Sequence, residues 1–197
     1  HTSGLHQKDD VTLVELHCDV TKVQWRHDVD FNKLPKRVAM DWGCILTFPV
    51  KTLRLLQPVP IMVNILMEIQ SLQNFQDAIY QIVNELYLNA YEYGVLALDP
   101  SLKQMPDGIA RYNQLKAERL QSIETGEIQF EFQHQIKHQG GHLLIRVQDS
   151  GMGFNFLETL PKLNDPTRGI LAVQALCTEL EYIGRGNAVH AVFEWQA

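Results

Sequence analysis

The sequence predicts an α+β domain, a two-layer α/β sandwich with helices over one face of a mixed, mostly antiparallel sheet. Three stretches carry that prediction. Ile128, Phe130, Phe132 and Ile136 alternate with Gln129, Glu131, Gln133 and Gln135, and the apolar run His142–Gln148 follows across His138-Gln139-Gly140-Gly141. This pattern reads as a hairpin. Val189, Ala191, Phe193 and Trp195 alternate in the same way after Glu181-Tyr182-Ile183 and Gly184-Arg185-Gly186-Asn187, giving a second, closing hairpin. Between Phe75 and Gly94, Ile79, Ile82, Val83, Leu86 and Ala90 recur at helical period and form one apolar stripe.

The remaining elements follow in chain order. Residues 18–43 alternate charge with little period and read as a linker. Cys44–Leu56 reads as one or two strand pieces around Pro49. After the Pro58–Pro60 pair, Met62, Ile65, Leu66, Ile69 and Leu72 give a first helix. Asn74 stands where it can cap the helix that follows, with Asp77 three residues on. From Val95 to Gly126, Asp99-Pro100 and Pro106-Asp107-Gly108 break the chain, and Ile109, Tyr112, Leu115, Leu120 and Ile123 suggest a polar helix. Beyond Gly169, Ile170, Val173 and Leu176 predict a helix through Cys177.

Composition narrows the function classes. A chain of 197 residues that is 45% hydrophobic can bury a full core in one domain with an extra segment. A formal net charge of -6 argues against a general nucleic-acid binder. No window approaches the roughly 18 apolar residues that span a bilayer, and no signal-peptide pattern opens the sequence. Cys18, Cys44 and Cys177 are odd in number and far apart, which suggests reduced thiols in a cytoplasmic protein. His134, His138 and His142 recur every four residues, but the interval straddles the Gly140-Gly141 turn. They read as solvent-exposed hairpin residues rather than metal ligands.

Chemistry concentrates in two places. Glu85 and Asn89 lie four apart on the Phe75–Gly94 helix, so their side chains leave it together. Alone, the pair is compatible with a solvated helix face. A carboxylate beside a carboxamide also suits a magnesium ion and a positioned hydroxyl. The second place is Gln148-Asp149-Ser150-Gly151-Met152-Gly153-Phe154, an Asp-x-Gly-x-Gly at the end of a predicted strand.

Together these motifs resemble the N-box and first glycine box of the GHKL ATPase superfamily, most closely the bacterial anti-sigma-factor serine kinases. The resemblance covers residues 44–197. It implies ATP and Mg²⁺ as cofactors, with Asn89 as the magnesium ligand and Glu85 as acceptor of the attacking hydroxyl's proton. It also implies that Asp149 accepts from the adenine amino group, while Gly151 and Gly153 let the backbone approach the nucleotide. Residues 154–168 would form the ATP lid. Arg168 and Gly169 would open a second glycine box, with Arg168 reaching phosphate or pairing with Asp165. Thr167 departs from the glycine common there. Gly186-Asn187 are turn residues or neighbours of the adenine pocket, and residues 95–126 stand as a helical insertion.

Within the superfamily the serine-kinase branch is expected. Gyrase-like, Hsp90-like and MutL-like members need a further domain after the last strand, and sensor histidine kinases need a phosphoacceptor histidine on a preceding helix. The resemblance then implies a kinase acting on a serine of a STAS-type anti-anti-sigma factor, with an anti-sigma or sigma factor as a further partner and a homodimer as an open possibility. The alternative is a catalytically inactive binding module that sequesters such a regulator. Asp9-Asp10-Val11-Thr12-Leu13-Val14 resembles the last strand of PPM-type (SpoIIE-like) phosphatases. Residues 1–43 are accordingly expected to be the remnant of an upstream phosphatase domain and linker.

Overall fold

The computed structural model describes residues 41–156 and 169–196. The Asp9-Asp10 stretch, Thr167, Arg168 and most of the expected lid lie outside them. Among the described residues one sheet has the strand order β1-β2-β3-β5-β4. Its strands are β1 (Trp42–Pro49), β2 (Glu127–Lys137), β3 (Gly140–Asp149), β4 (Glu179–Ile183) and β5 (Ala188–Gln196). Every pairing is antiparallel. The fold is the predicted α+β sandwich, with no parallel pair among the described residues.

Register carries the alternation across the sheet. Phe132 faces Ile145 and Ile145 faces Ala191, while Phe130 faces Val147 and Val147 faces Val189. All of these side chains are buried on the face that the helices cover. The helices are α1 (Val50–Leu53), α2 (Pro58–Met67), α3 (Gln76–Leu88), α4 (Gly108–Ser122) and α5 (Gly169–Leu176). The predicted stripe of α3 is the centre of the core: Ile79, Ile82 and Val83 are fully buried, and Leu86 nearly so. Each such aliphatic side chain contributes roughly 1.5–3 kcal/mol through the area it removes from water.

Several local expectations are corrected. Pro49 ends β1, and the chain turns into the short helix α1 instead of a second strand piece, burying Val50 and Leu53. A proline can end a strand because its missing N–H costs nothing past the last ladder bond. Pro58 lies in the first turn of α2, where a fixed φ favours helix initiation. That helix stops at Met67, and Leu72 reaches the core from a 3₁₀ turn, Gln70–Phe75. Asn74 sits inside this turn, so the N-cap of α3 falls to Phe75 and no side chain caps it.

His134 is the largest departure. It is buried at 1% exposure, in line with Phe132 on the inward face of β2. Its ring lies 5.2 Å from that of Trp195 and 6.3 Å from that of Trp42, and its Nε2 is 3.4 Å from Ser71 Oγ. Ile136, read as inward, is 38% exposed at the hairpin end opposite Gly141. His138 is exposed in the turn, and His142 Nε2 lies 2.6 Å from Gln135 Oε1. No group of three metal-ligating side chains occurs among the described residues. Nor is any helix there long and apolar enough to cross a membrane.

Candidate functional site

The site is built where α3 stops being an α-helix. At Asn89 the backbone widens into a π-helix, Asn89–Val95, closed by an i→i+5 bond from Leu96 N to Tyr91 O of 2.9 Å. Such turns are rare and recur at functional sites. Glu85 on the last α-turn and Asn89 at the junction are both half-buried. The Asn89 carboxamide makes no hydrogen bond to a described residue.

Gly94, near the end of the π-helix, meets the tip of β3. Its Cα lies so close to Asp149 that a Cβ there would overlap the carboxylate, 2.6 Å from Oδ2 and nearer still to Cγ. Gly151 closes the other side, where a Cβ would lie 2.5 Å from Gly94 O and 2.7 Å from Asp149 Oδ1. The Gly151 N–H donates to Asp149 Oδ1 at 2.7 Å. Two glycines therefore leave the space that the carboxylate fills.

The backbone around Asp149 is pinned from both flanks. Asn187 O accepts from Asp149 N at 3.0 Å, and Asn187 Nδ2 donates to Asp149 O at 2.8 Å. Ser150 exchanges bonds with Glu127 at the start of β2, its N–H donating to Glu127 O and its Oγ accepting from Glu127 N, both at 3.1 Å. Burial pushes the Asp149 carboxyl up to about 6, against the opposing pull of the Gly151 N–H and the nearby Arg185 charge. Burial, helped by the Asp149 charge, also raises the Tyr182 phenol to about 12.

The start of α5 meets α3 directly. A Cβ on Gly169, the first residue of α5, would collide with the Glu85 carboxylate. The structure thus gathers Glu85, Asn89, Asp149, Gly151 and Gly169, which lie far apart in sequence, around α3 and its π-turn. Gly153 packs elsewhere. It adopts φ +78 with a Cβ path blocked by Arg185 O, and Gly186 at φ +88 is blocked by Phe154 O. The glycine box and the β4–β5 turn interlock at these two left-handed positions. Beside them a cleft of about 450 Å³ opens between Met152–Phe156 and Gly184-Arg185. Phe154 meets the Tyr182 ring edge-on at 5.0 Å and Phe156 stacks on it at 5.9 Å. Neither Glu85 nor Asn89 lines this cleft.

Two participants, Gly94 and Arg185, were not singled out in the sequence, and a third, Asn187, was given a different role. Gly94 read only as the end of the Phe75–Gly94 stretch, and its contact with Asp149 comes from a tertiary approach that the local pattern does not carry. Asn187 read as a turn or pocket-edge residue, and it is the bracket of Asp149. Arg185, the turn residue whose charge acts on Asp149, had no sequence signal of its own.

The donor set can be tested against magnesium and a nucleotide. Glu85 and Asn89 offer oxygen ligands only, which suits a hard cation that keeps several waters. Gly94 and Gly151 make room for the Asp149 carboxylate and Gly169 for that of Glu85, so the site presents two carboxylate acceptors, as an adenine amino group and a hydroxyl donor would need. The residues fit. No known protein-family model matches the chain, and no curated protein matches it.

Proposed function

We propose that this domain is an ATP-dependent protein serine kinase of the GHKL type. The observation that supports it most is the double contact of one helix: Gly94 against Asp149 and Glu85 against Gly169. Asp149 at the end of β3 and Gly169 at the start of α5, which the motif resemblance assigns to base and phosphate, both meet α3 and its π-turn.

In this reading Asn89 would hold Mg²⁺ through its carboxamide oxygen, and the ion would supply charge neutralisation at the phosphate oxygens. Asp149, fixed by Gly151 and Asn187, accepts a hydrogen bond from the adenine amino group. Guanine, with a carbonyl there, would set acceptor against acceptor. Glu85 orients the serine hydroxyl and takes its proton as the new P–O bond forms, and ADP leaves with the electrons of the broken bond. The phosphoacceptor, a serine on a STAS-type anti-anti-sigma factor, is proposed from the sequence resemblance, as is a cytoplasmic location. A phosphate adds about −1.5 to −2 charges at such a serine and can break an apolar interface.

The test pairs calorimetric titration of Mg·ATP and Mg·ADP with a phosphotransfer assay on a STAS-domain substrate. Glu85→Ala should keep nucleotide affinity and lower transfer by about 10²–10⁴-fold. Asn89→Ala and Asp149→Asn should each lose magnesium-dependent binding. Normal transfer by Glu85→Ala would overturn the mechanism. Partner binding without any phosphoserine would favour the sequestering module instead.

A further inference from the structure

One buried charge on the π-helix takes no part in the chemistry described above and is gripped by the 95–126 segment. Glu92 is only 8% exposed, and its carboxylate accepts from Tyr112 Oη at 2.7 Å, Lys116 Nζ at 2.6 Å and Lys103 Nζ at 3.1 Å. Tyr112 itself is 2% exposed. Lys103 Nζ also sits 4.2 Å over the Tyr112 ring, and Lys116 Nζ 5.2 Å over that of Tyr91. Every donor to Glu92 comes from the one segment that follows the π-helix.

The helix pitch gives this cluster its meaning. At α-helical spacing Glu92, seven residues after Glu85 and three after Asn89, would share their face. In the structure they part. Glu85 meets Gly169, whereas Glu92 turns to Tyr112 and the two lysines. The extra residue in the π-turn makes the rotation, and the same widening brings Gly94 instead of Tyr93 round to Asp149. An α-helical continuation would put a tyrosine side chain where the carboxylate now stands.

A π-turn is a strained choice for a helix and needs a partner that rewards it. The 95–126 segment supplies that partner at several levels. It grips Glu92 in the middle of the turn. At its end, Arg119 Nη1 donates to Leu96 O at 2.6 Å and also to Ala97 O, where Ala97 takes a positive φ of 47. Leu98 N closes back onto Glu92 O at 2.8 Å. The segment then runs into β2, whose first residue holds Ser150 beside Asp149.

We propose that Glu92 is a positioning residue: clamped by Tyr112, Lys103 and Lys116, it holds the Asn89–Val95 π-turn and thereby orients Asn89 at its start and sets Gly94 against Asp149. The 95–126 segment is then part of the nucleotide site's framework, a claim that rests on the proposed nucleotide reading for its functional consequence only. Burial would raise the Glu92 carboxyl, but hydrogen bonds from Lys116, Tyr112 and Lys103 hold it below the usual glutamate range, consistent with a satisfied anion.

The experiment compares wild type, Glu92→Gln and Tyr112→Phe with Glu194→Gln, which breaks an exposed pair to Lys137 of 2.7 Å at the far end of the sheet. Amide hydrogen exchange at Leu96 and Leu98 and the amide resonances of Gly94 and Gly151 report the turn without any ligand. Calorimetry with Mg·ATP reports its use. Glu92→Gln should speed exchange at Leu96 and Leu98, shift the Gly94 and Gly151 resonances, and weaken Mg·ATP by roughly tenfold or more. Tyr112→Phe should do the same to a lesser degree, and Glu194→Gln should do none of it. Unchanged exchange and resonances in Glu92→Gln would overturn the clamp. A loosened turn with full Mg·ATP affinity would overturn its positioning role. A wild-type chain that binds no nucleotide would defeat the proposed function, and the exchange and resonance data would still decide whether Glu92 holds the turn.

Discussion

Gly94 and Asp149 are in contact across the α3–β3 junction, with the carboxylate of one occupying the space where a Cβ of the other would stand. Replacing Gly94 by alanine forces a choice between moving the π-helix and expelling the carboxylate. Gly94→Ala should therefore destabilise the domain by about 1–3 kcal/mol, the usual range for an overpacked contact. Urea unfolding measures that cost. Loss of the Gly151-to-Asp149 hydrogen bond, seen as an upfield shift of the Gly151 amide, would locate it.

The Asp149 carboxyl gives the domain a specific pH signature. Its folded value of about 6 lies above the ordinary 3.8, so the fold favours its neutral form. The stability it contributes is fully present below pH ~4 and is lost as pH rises through about 6. Glu92 has the opposite sign: held low, it stabilises above the ordinary glutamate value and loses that contribution in acid. Asp149→Asn should remove the decline between pH 4 and 6 and leave the acid limb intact. Urea midpoints taken across this range in both proteins check it, and an unchanged slope in the variant would refute the assignment.

Gly169→Ala separates binding from transfer. The added methyl would push the Glu85 carboxylate from the start of α5 and leave the Asp149 end of the site untouched. In the proposed kinase, transfer should fall by about tenfold or more, and by a larger factor than the Mg·ADP affinity does. A variant that lost both equally would show that α5 carries binding as well.

Arg54 offers a test of the helical layer alone. Its Nε donates to Leu120 O at 2.8 Å and its Nη2 to Gln121 O at 3.2 Å and to Ile123 O, so one guanidinium satisfies the carbonyl end of α4. The contact is exposed, and Arg54→Met should cost about 1 kcal/mol. Faster amide exchange in the last turn of α4, with the sheet unaffected, is the expected picture.

What the sequence showed and what it hid divide along a physical line. Ile128, Phe130 and Phe132, or Val189, Ala191, Phe193 and Trp195, announce their inward face because a strand's pleat decides it residue by residue. The stripe of α3 is legible for the same local reason. Glu85, Asn89 and Asp149 could be named as candidates from their spacing, and the structure brings the elements that carry them together. The π-turn could not be read, because one extra residue per turn leaves no mark in a pattern of apolar side chains. Glu92 gave no sequence signal, since its partners Lys103, Tyr112 and Lys116 come from a later segment with no motif. His134 misled because three histidines at equal spacing were weighed as a set, when parity with Phe132 already placed the first of them inside.

The sheet order has a consequence for how this domain comes into being. Among the described residues β1 pairs with β2 alone, Trp42 against His134 and Pro49 against Glu127, and α1 to α4 all intervene in the chain. A chain emerging from the ribosome therefore makes β1 long before β2 exists. Helices form fast from local contacts, whereas a strand pair of such long range must wait for loop closure. Until β2 arrives, β1 presents bare backbone donors and acceptors with Ile45 beside them, a ready template for wrong partners. The helical layer that holds the site also shortens that wait, by folding the intervening chain before the edge strand docks.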